Sequence, residues 1–300
     1  MSSVLYDVPG PRAIARNRIL TVLTILLVAA VLGFLLWRLF DTGQFTAEKW
    51  QAFTYTNVWV QFGLATLNTL AAFALAAVGA LALGFILAIG RMSDHAWVRI
   101  PVTGIVEVLR AVPVLVFMFL LYYGLPVLGV RMEPYWAVVI ALIAYNGSVL
   151  AEVIRAGVES LPRGQGEAGY AIGLRKAGVM RLVLLPQAIR AMMPVIIAQL
   201  VVTLKDTALG FIITYPEILF YAKYLGSQSQ VGSPIVPATI VAALIYIALC
   251  LILSGIATTV EKRLRRSGKT VRVAAAAQPV QEVTDTELIV TQRSARKRGA

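Results

Sequence analysis

Six stretches of this chain run apolar for long enough to cross a bilayer: 19–40, 59–90, 101–128, 135–158, 188–214 and 235–260. A hydrocarbon core of about 30 Å is spanned by about 20 residues of helix. None of the six alternates apolar with polar residues at the period of a strand, and an open strand would leave backbone groups unsatisfied in lipid. Each therefore predicts a transmembrane helix. The second stretch exceeds a straight crossing, so part of it is expected to be tilted or interfacial. The predicted fold class is an all-α polytopic membrane protein with about six transmembrane helices. Between the fourth and fifth stretches lies a polar island, 159–187, and the chain is polar again at 1–18 and 261–300.

Six crossings place both ends on one side, and the basic residues say which. With the amino terminus inside, one side carries Arg12, Arg16, Arg18, Arg91, Arg99, Arg155, Arg163, Arg175, Lys176, Arg181, Arg190 and ten Lys/Arg of the tail; the other carries only Lys49, Arg131 and Lys223. Basic residues in short loops stay cytoplasmic. Both termini and the island are thus expected in the cytoplasm of a multi-pass plasma-membrane protein.

Composition agrees: 59% hydrophobic and 14% charged is too apolar for one soluble core. Half of the net charge of +12 comes from 261–300, with ten basic against four acidic residues. Next to apolar spans such residues report orientation and contact with anionic lipid, so no nucleic-acid partner is expected. The tail, with its alanine run 274–277, is expected to be disordered. Cys250, alone and within an apolar run, excludes a disulfide framework and a cysteine-based metal site. His95 has no metal-ligand partner in sequence. Gly164–Gly169 spells G-x-G-x-x-G but follows a transmembrane stretch, not a strand, so it lacks a dinucleotide-binding context. No metal, cofactor or catalytic residue is expected.

Within the island, Pro162, Gly164 and Gly166 break the helix leaving the fourth span, and Glu167 opens a new segment, where an acid suits the helix dipole. Ala168, Ala171, Ile172, Leu174 and Ala177 give a small apolar face, and Gly173 and Gly178 permit a bend. Pro186 fits the first turn of the next helix. The plain alternative is a solvated loop. The order Glu167-Ala168-Gly169, Gly173, then Val183-Leu184-Leu185-Pro186 resembles the EAA loop of bacterial ABC importer permeases, with Gly169 for an Ala and Val183 for an Ile. The resemblance implies a type I importer fold and two short cytoplasmic coupling helices docked in a groove of an ATPase subunit. It assigns ATPase coupling to Glu167, Ala168, Gly169, Gly173, Leu185 and Pro186.

Charges inside spans are costly and face a cavity or a partner. Glu107 and Arg110 lie three apart on one helix face and can pair; Glu152 sits near the inner end of the fourth span; Lys205 and Asp206 sit in the fifth. Together they offer both signs to a zwitterion, or they pair internally to lock packing. Glu107–Pro113 resembles the E-x-x-R-G-x-P stretch of polar amino acid permeases, with Ala111 for Gly. Lys205-Asp206-Thr207 resembles their K-D-T/S stretch, and Ala151–Gly157 their A-E-x-x-R-G-G. The likeness covers about 58–260, a five-helix permease core with its coupling loop 159–187. It implies substrate binding at Glu107, Arg110, Lys205 and Asp206. Met1–Asp7, Pro9–Arg12, the extra first span with its outer loop (19–57) and the basic tail resemble the glutamate-transporting branch. The implied function is ATP-driven import of polar amino acids, glutamate first, by alternating access. The implied partners are an ABC ATPase dimer, a second permease subunit (a paralogue or the same chain), an extracytoplasmic amino-acid-binding protein and membrane lipid. The alternative is an ion-coupled secondary transporter of a small polar solute, with Glu107, Glu152 and Asp206 carrying the ion. A lipid-processing enzyme would need a catalytic cluster that the sequence lacks.

Overall fold

A computed structural model describes residues 10–266. The amino-terminal residues 1–9, the segment 267–300 and the expectation of a disordered tail lie outside the described residues. Among the described residues the elements are all helical. In order they are α1 (Pro11–Asp41), α2 (Ala47–Gln51), α3 (Thr56–Arg91), α4 (Ala96–Ala111), α5 (Val114–Phe119), α6 (Leu125–Val127), α7 (Pro134–Glu159), α8 (Arg163–Ala171), α9 (Lys176–Gly178), α10 (Leu185–Asp206), α11 (Ile218–Gly226) and α12 (Ile235–Arg266).

Five helices are long and apolar enough to cross a membrane, with α9–α10 and the following turn forming one 38-residue run to Ile213. The third expected span is the exception. It is broken between α4 and α5 and bends by 96°. The cause is Pro113. It disfavours the α region for its neighbour, and Val112 takes the extended conformation (φ −81°, ψ 121°) before the chain restarts a helix. α5 then passes through a π turn, Leu120–Gly124, into α6. Counted as one, the broken pair makes the sixth span.

The bundle is assembled on small residues. Ala72, Ala76, Ala80, Gly84 and Ala88 recur every fourth position of α3 and form one stripe, with all four alanines fully buried. With lipid as apolar as any side chain, close backbone approach and dispersion contact drive such packing. Gly84 marks the tightest crossing with α7. A Cβ there would lie 2.8 Å from the Leu150 Cβ and 3.0 Å from the Gly147 carbonyl oxygen. Around this seam, Met118 of α5 and Leu142 of α7 pack with Ile213. Phe62 of α3 packs with Ile218 of α11 and Ala238 of α12. By contrast α1 buries no residue in the chain, and Trp37 near its end is 58% exposed. All of its apolar surface is left for lipid or another subunit.

Candidate functional site

The island is built as a folded loop. Pro162 caps α8 at the end of the bend that closes α7, so α8 begins at Arg163 and contains Gly164 and Gly166, four residues earlier than Glu167. A Schellman motif ends it. The Leu174 N–H donates to the Gly169 carbonyl (3.1 Å) and the Gly173 N–H to the Tyr170 carbonyl (2.9 Å). That closure needs a left-handed residue at Gly173, which has φ +83°. Arg175 is extended and starts α9. Both short helices are thus present, but α9 runs through a π turn, Val179–Leu184, directly into α10. Gly178 lies inside that run and makes no bend.

α8 folds back on the entry to α10. Gly169 is buried against Val179, and a Cβ at Gly169 would lie 2.9 Å from Val179 Cγ2, so glycine suits this seat. Leu185 is buried, whereas Pro186 is exposed in the first turn of α10. The outward side shows Glu167, Ala168, Tyr170, Ala171 and Gly173. It also carries Ile172 at 78% and Leu182 at 65% exposure. Large apolar residues displayed on a polar loop mark a surface for a protein partner.

A tether that spacing did not reveal holds the loop. Lys176 donates to the Met92 carbonyl (2.9 Å) and pairs with Asp94, both in the turn between α3 and α4. The hydrogen bond from Lys176 holds the Asp94 carboxyl below its ordinary range. His95 follows in that turn, exposed and stacked on Trp97.

Glu107 pairs with Arg91 at 3.1 Å and not with Arg110. Arg91 ends α3 with its side chain only 11% exposed, and a guanidinium so sheltered needs acids around it. Glu152 supplies a second, at 2.8 Å. Arg155 binds Glu152 and Glu159 along α7. Three helices, α3, α4 and α7, are therefore tied by one ionic network at their basic ends. Arg91 was legible only as a charge, because its partners come from other helices, whereas the Arg155 pairs follow helix spacing along α7. Arg110 and Lys205 are exposed on the single chain and make no hydrogen bond or ion pair among the described residues. Asp206 is half-buried where α10 gives way to a 3₁₀ turn. The structure brings neither Glu107 nor Arg110 into such contact with Lys205 or Asp206.

At the opposite end of the bundle, Glu217 is fully buried and caps α11. It accepts from the N–H groups of Leu219 (2.8 Å) and Phe220 (2.6 Å) and from the Tyr246 hydroxyl (2.7 Å). Burial pushes its carboxyl up to about 7 against the pull of those donors. Sequence reading passed over it, since Glu217 sits in a short loop with no motif.

Residues 80–266 match the family described as the inner membrane component of binding-protein-dependent transport systems. The chain is 38% identical over 228 residues to the glutamate transport system permease protein GluD of Corynebacterium glutamicum, covering 74% of this chain and 82% of that one. It is 36% identical over 159 residues to a probable glutamine ABC transporter permease protein, GlnP, of Bacillus subtilis, covering 53% of this chain and 73% of that one. Among solved structures, an amino acid ABC transporter crystallised with histidines shares 29% identity at a TM-score of 0.63, over 71% of this chain and 97% of that chain.

Proposed function

Because the chain belongs to the family of binding-protein-dependent transport system inner membrane components, whose ATPase is a separate subunit, we propose that it is the permease through which polar amino acids, glutamate first, enter a bacterial cell. The observation that carries this is the loop 163–186. It is folded by its own backbone caps, presents Tyr170, Ile172 and Glu167 outward, and is continuous with a 38-residue membrane helix. A partner that displaces α8 moves that helix with it, because α9 and α10 form one helical run and Gly169 is seated on Val179.

In this reading both termini and the loop face the cytoplasm, in line with the basic residues clustered there. The loop engages one ATPase of a dimer, and a second permease, copy or paralogue, engages the other. Closure of the ATPases rocks the bundle between inward- and outward-open states. Glu107, Arg110, Lys205 and Asp206 are proposed to contact the solute within the membrane. Arg110 and Lys205 support this best, since each is exposed within an apolar helix and makes no ion pair among the described residues. The narrower choice of glutamate is supported by the relative named for glutamate transport.

The test is uptake by proteoliposomes holding the chain with its ATPase and binding protein. ATP inside should drive accumulation of labelled glutamate, and Arg110→Ala or Asp206→Ala should lower it without loss of assembly. Uptake that survives ATP removal while an ion gradient persists would overturn the reading. Accumulation of glutamine or arginine but not glutamate would correct the substrate alone.

A further inference from the structure

The outer third of α3 has three distinct faces. Val58, Phe62, Ala65 and Thr69 are buried against the bundle. Trp59, Val60 and Leu67, which are 50%, 52% and 62% exposed, form an apolar second face. Asn57, Gln61, Leu64 and Asn68, spaced four, three and four apart, form the third face, and three of its four members are amides. A primary amide needs hydrogen-bond partners, so this face suits a polar setting.

It meets a cavity of about 560 Å³. The opposite wall is α11 with Phe220, Tyr221 and Tyr224. Asn68 pins the wall in place: its side-chain amide donates to the Pro216 carbonyl (2.8 Å) and its main-chain carbonyl accepts from the Tyr215 hydroxyl (2.7 Å). Asn57 and Gln61 make no side-chain hydrogen bond among the described residues, so their donors and acceptors remain open to the cavity. With 36 residues α3 is about 54 Å long, and the roughly 20 that cross the hydrocarbon, counted from Arg91, leave 57–68 beyond it.

We propose that this amide and aromatic cavity is an entry site that holds a single amino acid, by hydrogen bonds from uncharged side chains and by ring contacts, before it reaches the membrane interior. The proposal rests on the transport reading and on its orientation, and it adds a site that neither the coupling loop nor the membrane charges supply. The chemistry suits a zwitterion. Amide N–H groups donate to a carboxylate, amide carbonyls accept from an ammonium, and the faces of Phe220, Tyr221 and Tyr224 attract the cation. No lining residue carries a formal charge. Each such bond is charge-assisted from the solute's side alone, and with no ion pair to break the site releases what it binds and selects the amino-acid backbone over any particular side chain.

The experiment uses the assembled transporter with Cys250→Ser as its parent and single cysteines at Asn57, Gln61, Trp59 and Leu67, exposed to a charged, membrane-impermeant methanethiosulfonate. Asn57→Cys and Gln61→Cys should react from outside. Glutamate or glutamine at ten times its half-saturating concentration should slow them about tenfold by simple occupancy. Trp59→Cys and Leu67→Cys should show no such protection. Asn57→Leu and Gln61→Leu should each raise the uptake KM about 10- to 150-fold with kcat unchanged, the loss of one hydrogen bond to a charged group. Cysteines that react at the same rate with and without solute, or that a second subunit covers entirely, would overturn the site while leaving uptake by the parent intact. A parent with no ATP-driven uptake would instead overturn the transport reading on which the site depends.

Discussion

Gly173 is where one atom decides the shape of the coupling loop. Its φ of +83° closes the Schellman motif that ends α8, and an added Cβ would meet nothing within 4 Å. The cost of substitution is therefore conformational, not steric. A left-handed residue other than glycine costs about 1–2 kcal/mol, a factor of about 5–30 in population. α8 has only nine residues, too few to persist without its caps, so the loss falls on the loop and not on the bundle. Gly173→Ala and Gly173→Leu should weaken ATPase binding alike, by up to about 30-fold, because the competent conformation is depleted by that factor. Gly173→Asn should lose much less, since asparagine tolerates this region. The assay is titration of purified variants with ATPase, beside hydrogen exchange at the Gly173 and Leu174 amides, with thermal unfolding of the bundle expected unchanged. Wild-type affinity in the alanine variant would refute the argument. So would a leucine variant far worse than alanine, which would put a partner atom, not the backbone, at the centre of the effect.

Three other outcomes follow from the same physical reasoning. Gly84→Leu should destabilise the bundle by about 1–3 kcal/mol or more, because the Leu150 Cβ and the Gly147 carbonyl cannot yield without separating α3 from α7; a melting temperature equal to wild type would contradict this. Arg91→Met should destabilise by about 1–3 kcal/mol by leaving Glu107 without its partner and Glu152 with Arg155 alone, and adding Glu152→Gln should restore part of that loss in a double-mutant cycle. Glu217 has a raised carboxyl, so its folded state favours the proton. Stability should be full below about pH 4.5 and decline as pH rises towards 7; Glu217→Gln should flatten that slope in melting curves recorded from pH 5 to 8.

The sequence reading and the structure differ in an orderly way. Every apolar run became helix, since hydrophobic length is a local property that lipid enforces. The break at Pro113 was not anticipated, although the proline was in plain view: a proline inside an apolar run says that a helix is interrupted but not whether it kinks or turns by 96°. Motif spacing singled out the loop to which coupling is proposed, and the backbone supplies reasons for its glycines: Gly173 for its dihedral and Gly169 for its seat on Val179. The start of α8 moved to Arg163 because Pro162 suffices as a stop, and the glycines that follow tolerate helix. Charge pairing was the least legible. Glu107 lies three residues from Arg110, yet its partner is Arg91, 16 residues away on another helix. Lys176 reaches Asp94 across 82 residues. Helix-face arithmetic ranks local partners only, whereas a poorly exposed guanidinium recruits whichever acids the fold brings near.

The most direct test of the account is to isolate the tagged chain from native membranes in mild detergent, beside a Glu167→Lys variant, and to identify by mass spectrometry what accompanies each. The account predicts that an ABC ATPase and a second permease subunit come with the wild-type chain, and that the ATPase is lost from the variant while the permease pairing persists. Recovery of the chain alone, active in uptake after reconstitution without ATP, would contradict it.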